Sequence, residues 1–422
     1  MLVQFRFKNF KSFRDEAVLD LSAAHMTEFS ERVVSIAGER LLRIAAIYGA
    51  NASGKSNVYQ AFYYMYVYVA NSFMYGDEEE QFTWHKPMSF MLDSTSASEE
   101  SLFEVYFTLP GDVMETMYQY GFCINHEGVT EEWLNTKKKI EKEYKSIFYR
   151  NEKEDERDLD LSGLSQSSND NIKAALDQRV LIVSLGAKLK VEICKIVRDW
   201  FLENEFSDFG NPEVNLFLSQ KLPDGFADDK GVQKKVVDYF ATFDDSIKAF
   251  QIEKRPSDAG EQDEYYRIDA FHKKIDSDEM GKIPLGQESA GTLKMFALYP
   301  ELQSVLACGS VFFIDELNAR LHPLLVRNFL LMFLNPEINV NKAQLIFTTH
   351  DIWQMSSQLL RQDEIWFTEK DADGISTLYS LTDIMDEEGD SVRKDANYAK
   401  NYLLGKYGAI PILRNMDILE ER

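Results

Sequence analysis

The chain is expected to fold as an α/β protein built around a phosphate-binding loop, with an antiparallel β portion and a mainly helical insertion. Three observations carry this. An apolar run, Ile44–Tyr48, leads into a glycine-punctuated loop and then an uncharged helical stretch. Two further apolar runs, Val311–Ile314 and Leu345–Thr348, end in a pair of carboxylates and in a histidine. β-rich and then helix-patterned segments lie between these α/β portions.

Taken in chain order, LVQFRFKNF alternates apolar and polar residues and reads as a half-buried strand. From Val58 to Tyr75 no residue is charged, but six tyrosines make the stretch a poor membrane span and a good buried helix. The N-terminus is charged without an apolar core, so it does not read as a secretory signal. Between Leu102 and Arg150 the runs LFEVYFTL, MYQYGFCI, VTEEWLN and KSIFYR predict an antiparallel meander. NEKEDERDLD, from Asn151 to Asp160, reads as a charged surface connection. Val232, Val236, Phe240, Phe243, Ile247 and Phe250 follow at steps of three and four, predicting one helical stripe. After an acidic link from Pro256 to Glu264, the α/β alternation returns. It comprises a helix from Ala290, the strand VFFI, a helix opened by His322-Pro323, and strands at LIFT, EIWFTE and STLYSL. The expected division is residues 1–150 as an N-terminal lobe, 151–280 as a mainly helical insertion for lid, dimerisation or partner contact, and 281–422 as a C-terminal lobe.

Composition narrows the function. The 422 residues carry 46 Lys+Arg against 70 Asp+Glu, a net charge of −24, which argues against coating nucleic acid through a diffuse basic surface. Three scattered cysteines give no disulfide framework or zinc pattern and suit a reducing cytosol, so a cytoplasmic location without membrane attachment is expected.

Gly49-Ala50-Asn51-Ala52-Ser53-Gly54-Lys55-Ser56 is a full GxxxxGK(S/T) loop between a strand and a helix, and Asn57 follows it. Its backbone N–H groups and the helix N-terminus can cradle phosphate oxygens. Lys55 would neutralise the β/γ-phosphates, and the Ser56 hydroxyl would ligate Mg²⁺. The loop is expected to hold the phosphates of a nucleotide. Asp315 and Glu316 emerge from a strand buried on both faces. Taken alone they read as a solvated strand end. Paired with the phosphate loop, Asp315 reads as a Mg²⁺ ligand and Glu316 as the base that activates water. His350 emerges at the tip of LIFTT, where a γ-phosphate sensor is needed. Ser289, in LGQESAGTLK, is from spacing alone an ordinary N-cap, although small residues there also leave N–H groups open to an anion.

In order, GANASGKS, QESAGT, VFFIDE, LHP and TTHD resemble the ABC-type ATPase heads of the SMC, RecF and OLD-like group. FKNFKSF, FEVYF, EEWL, ESAGT, DELNARLHP and YLLGKYGAIP are similar, more narrowly, to the RloA and AbiL type of AAA-family ATPase, associated with abortive infection and phage defence. The resemblance implies an ABC-type head and a homodimer or higher oligomer in which ATP is sandwiched between subunits. Ser289 and Gly291 would reach the γ-phosphate in trans, with Asn318 near the dimer-facing loop. The signature departs from LSGGQ in having Ala290 for its first Gly. A Q-loop glutamine has one candidate, Gln81. OLD-family nucleases add a Toprim domain, yet only 72 residues follow His350, so no nuclease is expected in cis and the effector should be a separate, nuclease-like protein. The leading expectation is an Mg²⁺-dependent ATPase acting as sensor or scaffold in anti-phage defence. The alternatives are a RecF- or SMC-type ATPase of DNA repair or chromosome maintenance that engages DNA directly, and a scaffold that binds nucleotide without turnover.

Overall fold

The computed structural model describes residues 1–76, 84–153, 157–211, 222–223, 225–241, 246–256, 264–385, 391–394 and 396–411. Gln81 and Phe243, and residues 257–263 of the expected acidic link, lie outside them.

The N-terminal strands are β1 (Leu2–Lys8), β2 (Ala17–Asp20), β3 (Val34–Ile36), β4 (Glu39–Leu41) and β5 (Ile44–Gly49), and helix α1 (Lys55–Asn71) follows. The expected meander is present as β6 (Ser101–Thr108), β7 (Thr116–Ile124), β8 (Val129–Lys138) and β9 (Lys145–Asn151), extended by β10 (Asp158–Asp160). Helices α2 (Gln166–Ala175), α3 (Ile182–Lys188) and α4 (Glu192–Leu202) lead to β11 (Glu205–Asp208) and then α5 (Lys230–Ala241). Strands β12 (Ile247–Pro256), β13 (Glu264–Lys273) and β14 (Met280–Pro284) precede α6 (Ala290–Cys308) and β15 (Val311–Asp315). The chain continues through α7 (Pro323–Leu334), β16 (Gln344–Thr348), β17 (Ile365–Lys370), β18 (Ser376–Ser380) and α8 (Tyr398–Leu403).

This is a mixed α/β fold around a six-stranded sheet of order β11-β15-β16-β5-β17-β18, parallel except for the β17–β18 hairpin. Its central strands are buried on both faces, which is why they read as continuous apolar runs. On β5, Ala45 and Ile47 face one core while Ile44, Ala46 and Tyr48 face the other. On β15, Val311 and Phe313 oppose Phe312 and Ile314 in the same way.

The first core packs α1 between this sheet and an antiparallel seven-stranded sheet of order β10-β9-β8-β7-β6-β1-β2. The tyrosines of α1 explain why it carries no charge beyond Lys55: Tyr59, Tyr64 and Tyr68 are buried, the last donating its hydroxyl to the Arg179 carbonyl at 2.8 Å. Among the described residues no helix is long and apolar enough to cross a membrane. The second core holds α5, α6, α7, α8 and the three-stranded antiparallel sheet β12-β13-β14.

Two sequence expectations differ from this architecture. The stripe extrapolated to Phe250 is not one helix: α5 ends at Ala241, and Ile247 and Phe250 lie on β12. Pairing with β13, where Phe250 faces Ala270 and Ile252 faces Ile268, overrides a helical spacing that two strand residues imitate by chance. The stretch read as mainly helical also contributes β11 to the central sheet, beside β15. Because β11 is only four residues long and half-buried, no apolar run announces it.

A buried clamp ties the N-terminal segment to the start of β17. Arg361 grips Asp363 at 2.9 and 2.7 Å and donates to the carbonyls of Ala24 and Glu28, while Glu364 accepts from the Arg361 N–H at 2.8 Å. Burial pushes Glu364 up to about 8, the Asp363 charge adding to this and Arg361 and Arg32 opposing it. The folded state thus keeps a proton that the unfolded chain loses near its ordinary value of about 4.3. Stability from this group is full below that value and lost as pH rises towards 8. In thermal unfolding, Glu364→Gln is expected to gain a few degrees relative to the natural chain between pH 5 and 9. A difference that does not change with pH would contradict this.

Candidate functional site

The phosphate loop sits at the carboxyl edge of the central sheet, flanked by the ends of β16 and β17. Its glycines are fixed by close approach. A Cβ at Gly49 would stand 2.4 Å from the Thr368 carbonyl oxygen, and one at Gly54, with φ +116°, 2.7 Å from Ser376 Oγ. Ser53 Oγ meets Thr368 Oγ1 at 2.6 Å, and Ser376 Oγ donates to the Ser53 carbonyl at 2.7 Å, so β17 and β18 pin the loop from one side. Asn57 turns its side-chain amide to Ser12 Oγ at 2.6 Å, linking α1 to the turn after β1.

Lys55 opens α1, is buried, and donates to the carbonyls of Gly49 and Ala50 at 3.1 and 3.0 Å. Burial lowers its pKa, and the charges of Glu316 and Asp315 offset part of that. Asp315 ends β15, hydrogen-bonded to the hydroxyls of Thr348 and Ser56. Burial raises its pKa, with like charge from Asp208 and Glu316 adding to the rise. A hydroxyl beside a carboxylate is an oxygen donor set that suits a hard divalent cation retaining water ligands. Among the described residues no cluster of three or more His, Cys, Asp or Glu is arranged to hold a metal, so the remaining ligands would come from nucleotide and water.

Glu316 follows at φ +56°, its N–H donated to Thr348 Oγ1 at 2.9 Å and its carboxylate 3.1 Å from His350 Nε2. The hydrogen bond to His350 holds its pKa below the usual carboxylate value against the effect of partial burial. Asn318 accepts from Thr349 Oγ1 at 2.8 Å and from the His350 N–H at 3.3 Å, locking the turn after β15 to the turn after β16.

The structure therefore brings Lys55, Ser56, Asp315, Glu316 and His350 to one sheet edge. Ser289 and Gly291 stand elsewhere. Ser289 caps α6, accepting from the Thr292 N–H at 3.1 Å, and a Cβ at Gly291 would lie 3.3 Å from the Arg320 carbonyl. His322 is an N-cap, its Nδ1 accepting from the Leu324 N–H at 3.2 Å.

Three residues at the site were not legible beforehand. Thr348 bridges the Asp315 carboxylate and the Glu316 N–H through one hydroxyl. Asp208 pairs with Asp315 across β11 and β15, and burial raises its pKa too. Lys294, one turn into α6, buries its ammonium against the loop after Glu316. The only available signal was the strand-end position of Thr348.

A cavity of about 740 Å³ opens beside residues Tyr48 to Ser53 and His350. The YLLGKYGAIP segment forms its far wall through Tyr402, Leu403 and Pro411. That wall is held by Tyr402 Oη donating to the Ala409 carbonyl and Tyr379 Oη to the Tyr407 carbonyl, both at 2.9 Å.

Among solved structures, the chain is similar to an SMC head bound to the C-winged helix domain of ScpA, with 14% identity, 90% of this chain and 97% of that chain covered, and a TM-score of 0.46. It is also similar to the recombination mediator protein RecF bound to ATP, with 12% identity, the same shares covered and a TM-score of 0.32. No curated protein matches the sequence. A family model described as "AAA domain, putative AbiEii toxin, Type IV TA system" matches residues 44–352, from the first strand of the phosphate-loop unit to just beyond His350. That match spans most of the chain, and the protein belongs to this AAA-domain family.

Proposed function

We propose that the chain is an ATPase that converts ATP and water to ADP and phosphate, and that ATP-gated association of two or more copies controls a separate effector in a bacterial abortive-infection, anti-phage system. The observation that carries this is the meeting at one sheet edge of the Lys55 ammonium, the Ser56–Asp315 pair and the Glu316–His350 pair.

In this reading the backbone from Gly49 to Asn57 and Lys55 bind the phosphates. Ser56 and Asp315 hold Mg²⁺, which when bound would neutralise phosphate charge. Glu316, kept ionised by the hydrogen bond from His350 Nε2, takes the proton of the attacking water at its carboxylate, and the Nε2–H that this protonation releases would then donate to a γ-phosphate oxygen. Ser289 and Gly291, at the start of the helix after β14, would serve the nucleotide of a second copy in trans. Residues 1–150 and 281–422 would act as the two nucleotide-binding lobes, with 151–280 for lid or partner contact.

The family description, which names a "putative AbiEii toxin" of a type IV TA system, is compatible with the defence role. The finer resemblance to RloA and AbiL proteins points the same way. The net charge of −24 weighs against direct, charge-driven binding to DNA, and a cytoplasmic location belongs to the same reading. The test is phage plating on a susceptible host carrying the locus. Protection is expected to fall by orders of magnitude with either Lys55→Met or Glu316→Gln. Protection independent of both residues, or tight salt-sensitive binding of DNA by the purified chain, would overturn the defence reading in favour of a role on DNA.

A further inference from the structure

The loop from Glu316 to Arg320 is conformationally expensive. It begins and ends on non-glycine residues in the left-handed region, Glu316 at φ +56° and Arg320 at φ +62°. Such a loop persists only if its surroundings hold it, and one side chain does much of that. Lys294 Nζ donates to the carbonyls of Leu317 at 2.7 Å, Ala319 at 2.8 Å and Glu316 at 3.4 Å. The same ammonium lies 3.8 Å from the centroid of the Phe209 ring. Phe209 in turn donates its N–H to the Asp315 carbonyl at 3.1 Å.

Lys294 is 6% exposed and, among the described residues, pairs with no carboxylate within salt-bridge distance. Burial pushes its pKa down to about 7, partly offset by the Glu316 charge. An apolar residue facing the core from α6 would avoid this desolvation, so general stability does not explain a cation here. What the cation supplies is three directed donors, all spent on the loop that carries Glu316 and Asn318.

Lys294 also belongs to the helix that Ser289 caps, with Gly291 packed against the Arg320 carbonyl at the other end of the same loop. We infer that Lys294 is a positioning residue that fastens the signature helix to the Glu316–Arg320 loop, so that docking of Ser289 and Gly291 on another copy's nucleotide sets the aim of Glu316 in its own subunit. The coupling joins two sites: the one a subunit completes in trans and the one it catalyses in cis. It rests on the ATPase and sandwich reading given above.

The test measures Mg·ATP affinity and steady-state phosphate release for the full chain and for Lys294→Met, which keeps the length and fills the core. Affinity is expected to stay within about threefold while kcat falls about 10- to 100-fold, the size of a misaimed catalytic group. Lys294→Arg should recover much of kcat, because it restores buried donors. In a Glu316→Gln background, adding Lys294→Met should abolish ATP-driven association that Glu316→Gln alone shows.

Hydrolysis by Lys294→Met within threefold of the natural chain overturns the inference. So does a fall in affinity as large as the fall in kcat in a Lys294→Met protein that is fully folded. If Lys294→Met does not fold, Phe209→Leu decides: a fall in kcat of at least threefold at unchanged affinity supports the coupling, and unchanged kcat overturns it. A natural chain that hydrolyses no ATP defeats the ATPase reading and the inference together. An active natural chain with an indifferent Lys294→Met defeats the inference alone.

Discussion

Glu316→Gln is expected to bind ATP nearly as well as the natural chain, to hydrolyse it about 100-fold more slowly or worse, and to accumulate as an associated species in sedimentation when ATP is present. The amide keeps the shape of the carboxylate but cannot accept a proton. The contacts that fix residue 316 are largely backbone, through the Thr348 hydroxyl and Lys294, so the loop should keep its form. The 3.1 Å contact with His350 Nε2 loses its charge component, and the longer-range attraction to Lys55 and Lys294 is lost with it. Because Glu316 contributes no hydrogen bond to the phosphate loop itself, binding and chemistry should separate cleanly. Undiminished turnover would remove Glu316 from the role of base.

Lys55→Met should fail earlier, at binding. The buried Lys55 ammonium is aimed at the mouth of the loop by the Gly49 and Ala50 carbonyls, where the β- and γ-phosphates would lie. Its loss should weaken Mg·ATP binding by about 100-fold or more, measurable by calorimetry or by a fluorescent ATP analogue. The fold should survive. Methionine occupies similar volume and removes a cation whose burial is already unfavourable, so the unfolding temperature is expected to move by only a few degrees. Retained affinity in a folded Lys55→Met protein would contradict the assignment of the loop.

The two variants show what was legible in the sequence. The phosphate loop, the Asp315–Glu316 pair and His350 could be read because each stands where a fully buried parallel strand ends, and such strands announce themselves as apolar runs bounded by polar residues. The meander from β6 to β9 was legible from its alternation and turn residues. The partners of these groups were not. Asp208 reaches Asp315 through a short edge strand, Thr348 acts through a hydroxyl at the end of a strand already assigned, and Lys294 lies on a helix whose other inward residues are mostly apolar. All three depend on contacts between segments tens of residues or more apart, which local periodicity does not encode. The false helical stripe ending at Phe250 failed for the same reason, because a sheet partner, not local spacing, decides the conformation of β12.

The central claim is that the elements at this sheet edge form an ATP-hydrolysing site. Its most direct test is steady-state phosphate release from Mg·ATP by the purified full chain, run beside Glu316→Gln at equal occupancy of bound ATP. The predicted result is clear turnover by the natural chain and about 100-fold less by the variant. Equal rates, or bound ATP with no phosphate released by either, would contradict it and leave a nucleotide-binding scaffold.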